Sequence, residues 1–193
     1  MDFDALARKA IEEFRAKQDP DELADFLRWL SEVRPRPEYV VEIGVYRGGN
    51  MWAMQQVVPA AGFIGIDRCF KRLDSRKFKS GTILVCGNSG DVKDLVGTLY
   101  DPDRALVYID GDHSYEAVLR DVKNYPARYQ AFHDIKDGEG HSRKRACHFY
   151  QERSSEFTHA FSRYSHRLGI GIREAPVQSQ RGAVHGADPM RKT

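Results

Sequence analysis

From Tyr39 onward the chain is built from short apolar runs, each followed by a stretch able to form a helix. The runs are Tyr39-Val40-Val41-Glu42-Ile43, Phe63-Ile64-Gly65-Ile66-Asp67, Thr82-Ile83-Leu84-Val85-Cys86, Ala105-Leu106-Val107-Tyr108-Ile109-Asp110 and Tyr129-Gln130-Ala131-Phe132. A strand apolar at successive positions is covered on both faces, and such strands alternating with helices form a parallel sheet between two helical layers. Further on, Phe157, His159 and Phe161 alternate, and Leu168 to Ile172 form another apolar run, so an antiparallel pair is expected at one sheet edge. Ser142 to about Arg153 suits a helix between them.

Two amphipathic helices come first. Phe3, Leu6, Ala10, Ile11 and Phe14 share one face of a helix over residues 2–17. Asp19-Pro20-Asp21-Glu22 then offers an N-cap, a first-turn proline and carboxylates for a helix running to about Val33, where Pro35 and Pro37 stop it. The expected organisation is one domain over 1–175, with helices in 1–35, an α/β core over 39–174 and a flexible tail over 176–193. With 30 Lys+Arg against 28 Asp+Glu, nothing global draws the chain to nucleic acid or an anionic membrane. The longest uncharged apolar stretch, Val57 to Ile66, is far short of the roughly 20 residues of a membrane span. The acidic Met1-Asp2-Phe3-Asp4 and three widely spaced cysteines suit a cytoplasmic protein.

Ligands of doubly wound sheets lie at the carboxyl ends of the strands, near the reversal of strand order. After the first run comes Gly44-Val45-Tyr46-Arg47-Gly48-Gly49-Asn50, where glycines let backbone approach a ligand and a helix N-terminus points at it. Its spacing is not that of dinucleotide sites. Glu42 beside it would repel a pyrophosphate and attract an ammonium group. Asp67, 23 residues beyond Gly44, lies where an acidic side chain accepts from ribose hydroxyls. Adenosine, an amino group and no phosphate together describe S-adenosylmethionine.

These residues, with Gly87-Asn88-Ser89, the Tyr108-Ile109-Asp110-Gly111-Asp112-His113-Ser114-Tyr115-Glu116 run and Ala131-Phe132-His133-Asp134-Ile135, resemble the class I S-adenosylmethionine-dependent methyltransferases. The branch resembled is that of the small-molecule O-methyltransferases related to macrocin O-methyltransferase and cephalosporin hydroxylase. The resemblance spans about Tyr39 to Ile172 and implies a Rossmann-like seven-stranded sheet with one antiparallel strand. It implies that Glu42 and Gly44 border the methionine part of the cofactor, with Tyr46, Gly48 and Asn50 of the same loop. Asp67, with Arg68, would hold the ribose, and Asn88 and Ser89 would border adenine. Asp110 would lie by the transferable methyl. Asp110 and Asp134 would hold Mg²⁺ where a metal is used. His133 stands where some relatives have a second acid and offers a general base instead.

Each residue also has a structural reading. Asp110 suits a helix N-cap, yet Asp110, Asp112 and His113 crowd one strand end. His113 either contacts substrate or braces the turn. Glu116 and Asp121 fit a solvated face or an ion pair with Arg120 or Lys123. The run Arg68 to Lys79 has six Lys/Arg and two aromatics, and reads as a solvated face, with RNA binding as the alternative. The leading expectation is O-methylation of a small-molecule hydroxyl, with His133, Asp110 and His113 as the catalytic group. A non-catalytic binding module and a nucleotide-dependent oxidoreductase are the rivals. Little chain is left for a lid, so the acceptor site should be open, or completed by the N-terminal helices or a second subunit of a homo-oligomer.

Overall fold

The computed structural model describes residues 1–136, 146–162 and 169–174. Its elements are α1 (Phe3–Glu12), α2 (Pro20–Glu32), β1 (Tyr39–Ile43), α3 (Gly49–Val57), β2 (Gly62–Asp67), β3 (Ile83–Cys86), α4 (Ser89–Gly97), β4 (Ala105–Ile109), α5 (Tyr115–Asn124), β5 (Tyr129–His133), α6 (Ala146–Glu152), β6 (His159–Phe161) and β7 (Ile170–Glu174). The strands form one sheet in the order β3-β2-β1-β4-β5-β7-β6. All pairings are parallel except those of β7, which runs antiparallel to both β5 and β6. The sheet is thus the expected seven-stranded one, with its last-inserted strand reversed.

Why the strands are doubly apolar is visible in the packing. Val40, Leu106 and Tyr108 join the layer made with α1, α2 and α3, while Val41, Ile43, Val107 and Ile109 join the opposite layer. Burial of each such side chain contributes about 1.5–3 kcal/mol, and with no solvated face a one-residue slip would exchange the two layers. Register places Ile43 beside both Ile66 and Ile109, so the carboxyl ends of β1, β2 and β4 lie level. The chain leaves β1 for β2 and β3 on one side and returns to β4 and β5 on the other. A crevice opens where those directions part.

Three features of the packing bear on that crevice. Helix α1 ends at Glu12 rather than near residue 17. Arg15 takes a left-handed conformation (φ 59°), and Ala16 N–H bonds back to the Ala10 carbonyl at 3.0 Å, turning the chain across α3. Helix α2 then starts as expected, with the Asp19 carboxylate accepting from the amides of Asp21 and Glu22. Second, the chain between β2 and β3 contains only a 3-10 turn, Ser75–Lys77. Third, Asp121 is not solvated: it is 1% exposed and accepts from Ser89 Oγ at 2.7 Å, with Arg120 Nε at 3.8 Å. The sequence-expected helix from Ser142 and the tail over 176–193 fall wholly or partly outside the described residues, and the strand from Leu168 is seen as β7. Cys69 and Cys86 are exposed thiols and Cys147 a buried one.

Candidate functional site

A cavity of about 530 Å³ lies at the carboxyl ends of β1, β2, β4 and β5, within the range of small-molecule sites. Gly44 forms its floor. With φ +93°, its position leaves no room for a side chain, because a Cβ would stand 2.2 Å from the Asp110 carbonyl oxygen. Tyr46, left-handed at φ 51°, and Asn50 at the start of α3 line the same wall. Gly48 does not. It turns the chain into α3, and a Cβ there would strike Phe78 and Leu73, so its bareness lets the β2–β3 connection pack down.

Asp67 faces the cavity with its carboxylate fixed by backbone. One oxygen accepts from Tyr46 N–H at 2.7 Å and the other from Cys69 N–H at 2.9 Å, leaving each a lone pair for a ligand hydroxyl. Arg68, Asn88 and Ser89 line the adjoining part. Asn88 caps α4 through Gly90 N–H.

At the other end Asp110 is a hub. Its Oδ2 accepts from Asn50 Nδ2 at 3.1 Å and Gln18 Nε2 at 3.3 Å, and its Oδ1 lies 2.8 Å from His133 Nδ1. His133 is 4% exposed, and its Nε2 is buried with no hydrogen-bond partner among the described residues. Burial alone would push this imidazole down, but the Asp110 carboxylate, with Asp134 and Glu22 farther off, holds it above its ordinary value. His113 approaches both Asp110 (Nε2, 3.7 Å) and Asp134 (Nδ1, 3.3 Å), and Asp134 is itself left-handed at φ 59°. Unfavourable backbone at such a place is stored strain held by its surroundings. Asp112 also lines the cavity, its carboxyl held below the usual range by the Ser114 amide.

Glu42 is placed differently from expectation. It lies beneath the cavity wall rather than in it, 1% exposed, and its oxygens lack a well-formed hydrogen bond. Burial, then the charges of Asp110 and Asp67, push its carboxyl well above the usual range, and Asn50 and the Met51 amide only soften this. Of the expected site residues, Gly44, Tyr46, Asn50, Asp67, Arg68, Asn88, Ser89, Asp110, His113, His133 and Asp134 meet at one cavity, whereas Glu42 and Gly48 stand behind it. The sequence pattern did not reveal the wall supplied by Arg15, Ala16 and Lys17, nor Gln18, which is 7% exposed and also donates to the Tyr108 hydroxyl at 3.1 Å. A glutamine before a helix cap has no local signature of burial.

No protein-family model and no curated protein sequence matches this chain. Solved structures do. The MycE methyltransferase from the mycinamycin biosynthetic pathway, in complex with Mg, SAH and mycinamycin VI, superposes with a TM-score of 0.65 at 15% identity over 95% of this chain and 57% of that one. The fold is that of the class I methyltransferases. The O-methyltransferase from Bacillus cereus in complex with SAH (TM-score 0.64, 10% identity, 89% of this chain and 91% of that) has it too. So does TomG from Streptomyces achromogenes in complex with SAM (0.60, 14%, 90% and 89%). The present chain spans a little over half the length of MycE.

Proposed function

We propose that the chain is an S-adenosylmethionine-dependent methyltransferase acting on a hydroxyl of a small molecule. The observation that carries this reading is a cavity that has a backbone-fixed Asp67 at one end and the Asp110–His133 pair at the other. Its support is the fold, whose solved neighbours were determined with SAM or SAH. The cofactor's ribose would lie at Asp67, its adenine toward Asn88 and Ser89, and its methyl toward Asp110.

The reaction is an in-line displacement. An acceptor oxygen lone pair forms the new C–O bond as the C–S bond breaks, its electrons return to sulfur, and S-adenosylhomocysteine leaves. The protein's share is positioning and removal of one proton. Asp110 engages His133 through Nδ1, while Nε2 is buried, so taking the hydroxyl proton would require the imidazole to turn toward the cavity or to act through Asp110. Gln18 and Asn50 in turn hold Asp110. His113 would touch the acceptor.

Asp110, His113 and His133 can each bring one ligand atom within 4.8 Å of the others, with Asp134 beside them. These groups would fit a divalent cation. The carboxylates suit Mg²⁺ and the imidazoles a softer ion such as Mn²⁺ or Zn²⁺. Bound there, such an ion would polarise an acceptor oxygen and lower its pKa.

Thermal unfolding with SAM, S-adenosylhomocysteine and NAD tests the reading. At a hundredfold excess over its dissociation constant a ligand stabilises by about 2.7 kcal/mol, which for a chain of this size raises Tm by roughly 5–10 °C. Both sulfur ligands should produce the rise and NAD should not. A rise with NAD alone would point to an oxidoreductase, and no rise at all would remove the cofactor site.

A further inference from the structure

The basic run that begins at Arg68 does not lie apart from the cavity. Phe70, Leu73 and Phe78 pack against the core, and Phe78 and Leu73 seat on Gly48. The run is thereby pinned beside the β1–α3 loop, and Arg72 is brought to the Tyr46 hydroxyl at 3.4 Å. Three cations from three separate segments surround that one ring: Lys17 Nζ at 4.8 Å, Arg47 Cζ at 5.6 Å and Arg72 Cζ at 5.8 Å from its centre. Arg15 joins Lys17 and Arg47 on the cavity wall.

Like charges gathered without counter-charges repel, and many of the other arginines are paired. Arg28, Arg76, Arg104, Arg128, Arg153 and Arg173 each meet a carboxylate. Among the described residues none of Arg15, Lys17, Arg47 and Arg72 does. Of the carboxylates of the cavity, Asp67 is held by the Tyr46 and Cys69 amides and makes no ion pair with these cations, and Asp110, Asp112 and Asp134 belong to the ends of β4 and β5. The cavity is thus polarised, cationic at the Tyr46 lip and acidic where the proton would be taken. S-adenosylmethionine brings one carboxylate, and its own ammonium group offsets that charge. Four unpaired cations exceed what the cofactor can neutralise.

We infer that the methyl acceptor is an anion, its phosphate or carboxylate group held by Lys17, Arg47 and Arg72 around Tyr46 while its hydroxyl lies at Asp110 and His133. This rests on the methyltransferase reading and names the substrate class for it. Tyr46 serves as a rigid platform that spaces the cations, and the α1–α2 connector supplies one of them from outside the sheet.

Calorimetric titration of inorganic pyrophosphate into the protein saturated with S-adenosylhomocysteine tests the inference, using wild type, Arg47→Ala/Arg72→Ala and Arg47→Lys/Arg72→Lys. Pyrophosphate should bind the wild-type complex, bind at least about tenfold more weakly to the alanine pair, and recover most of that loss in the lysine pair. S-adenosylhomocysteine and 5′-methylthioadenosine should bind all three proteins alike. Three results would overturn the inference. The first is no pyrophosphate binding to the saturated protein. The second is binding indifferent to the alanine pair, which would mean an adventitious ion only. The third is a loss of S-adenosylhomocysteine affinity in the alanine pair with 5′-methylthioadenosine unaffected, which would assign the cations to the cofactor's own carboxylate. Failure of wild type to bind S-adenosylhomocysteine at all is a different result, and it strikes the methyltransferase reading itself.

Discussion

Replacing Gly44 by alanine should damage this protein far more than replacing Gly81, although both glycines have nearly the same left-handed backbone, φ +93° and +86°. A left-handed alanine costs about 1–2 kcal/mol, partly recovered through the stiffer unfolded chain. Around Gly81 nothing lies within 4 Å, so that backbone cost is all Gly81→Ala should show, about 1 kcal/mol. At Gly44 the new Cβ would stand 2.2 Å from the Asp110 carbonyl oxygen and 2.7 Å from Gly111 Cα, both backbone atoms that no rotamer change can move. Relief requires parting the ends of β1 and β4, where Asp110 N–H bonds to the Ile43 carbonyl at 2.9 Å. Overpacking plus the weakened bond adds roughly 3 kcal/mol. Urea unfolding followed by tryptophan fluorescence should separate the two variants by that difference, and thermal unfolding should separate them by roughly 6–12 °C. Equal losses would show that β1 and β4 do not approach as described, and with that the cavity floor would be misplaced.

Other outcomes follow from single contacts. Ser89→Ala should cost about 1–3 kcal/mol by leaving the buried Asp121 carboxylate without its 2.7 Å partner. The double variant with Asp121→Asn should recover part of that loss, and strict additivity in a double-mutant cycle would argue against the contact. Gln18→Ala should lose a similar amount, since the buried Tyr108 hydroxyl and Asp110 each lose a donor. A variant as stable as wild type would detach the α1–α2 connector from the site. Glu42, whose carboxyl is pushed up in the folded state, keeps its proton there while the unfolded chain gives it up. Its share of stability is therefore intact below the ordinary value of 4.5 and is lost as pH rises above it. Glu42→Gln should remove that loss, so its advantage over wild type should widen from pH 4.5 upward. Parallel pH–stability curves for the two proteins would contradict the raised pKa.

How much of this the sequence disclosed depends on how local the cause is. The strands were legible because burial on both faces imprints itself on consecutive residues: the run Tyr39 to Ile43 is β1 and Ala105 to Ile109 is β4. Residues just past those strands, Gly44, Asp67 and Asp110, were legible as site candidates because parallel topology alone decides where strand ends meet. Glu42 and Gly48 share the same segment but stand behind the cavity wall. Burial of Glu42 within β1 and packing of Phe78 on Gly48 put them there, and the motif spacing encodes neither. Gln18 escaped because its partners, Tyr108 and Asp110, are 90 and 92 positions away. The early end of α1 escaped because a left-handed arginine carries no glycine or asparagine signal. Arg72 read as a solvated cation, since nothing local shows that Phe78 and Leu73 would pin its loop to the cavity lip.

A crystal structure of the complex with S-adenosylhomocysteine would show directly whether the cavity holds the cofactor. The ribose hydroxyls should lie within hydrogen-bond distance of the Asp67 carboxylate, with the sulfur facing the Asp110–His133 pair across the same cavity. Ligand density elsewhere on the protein, or a ribose turned away from Asp67, would contradict that placement.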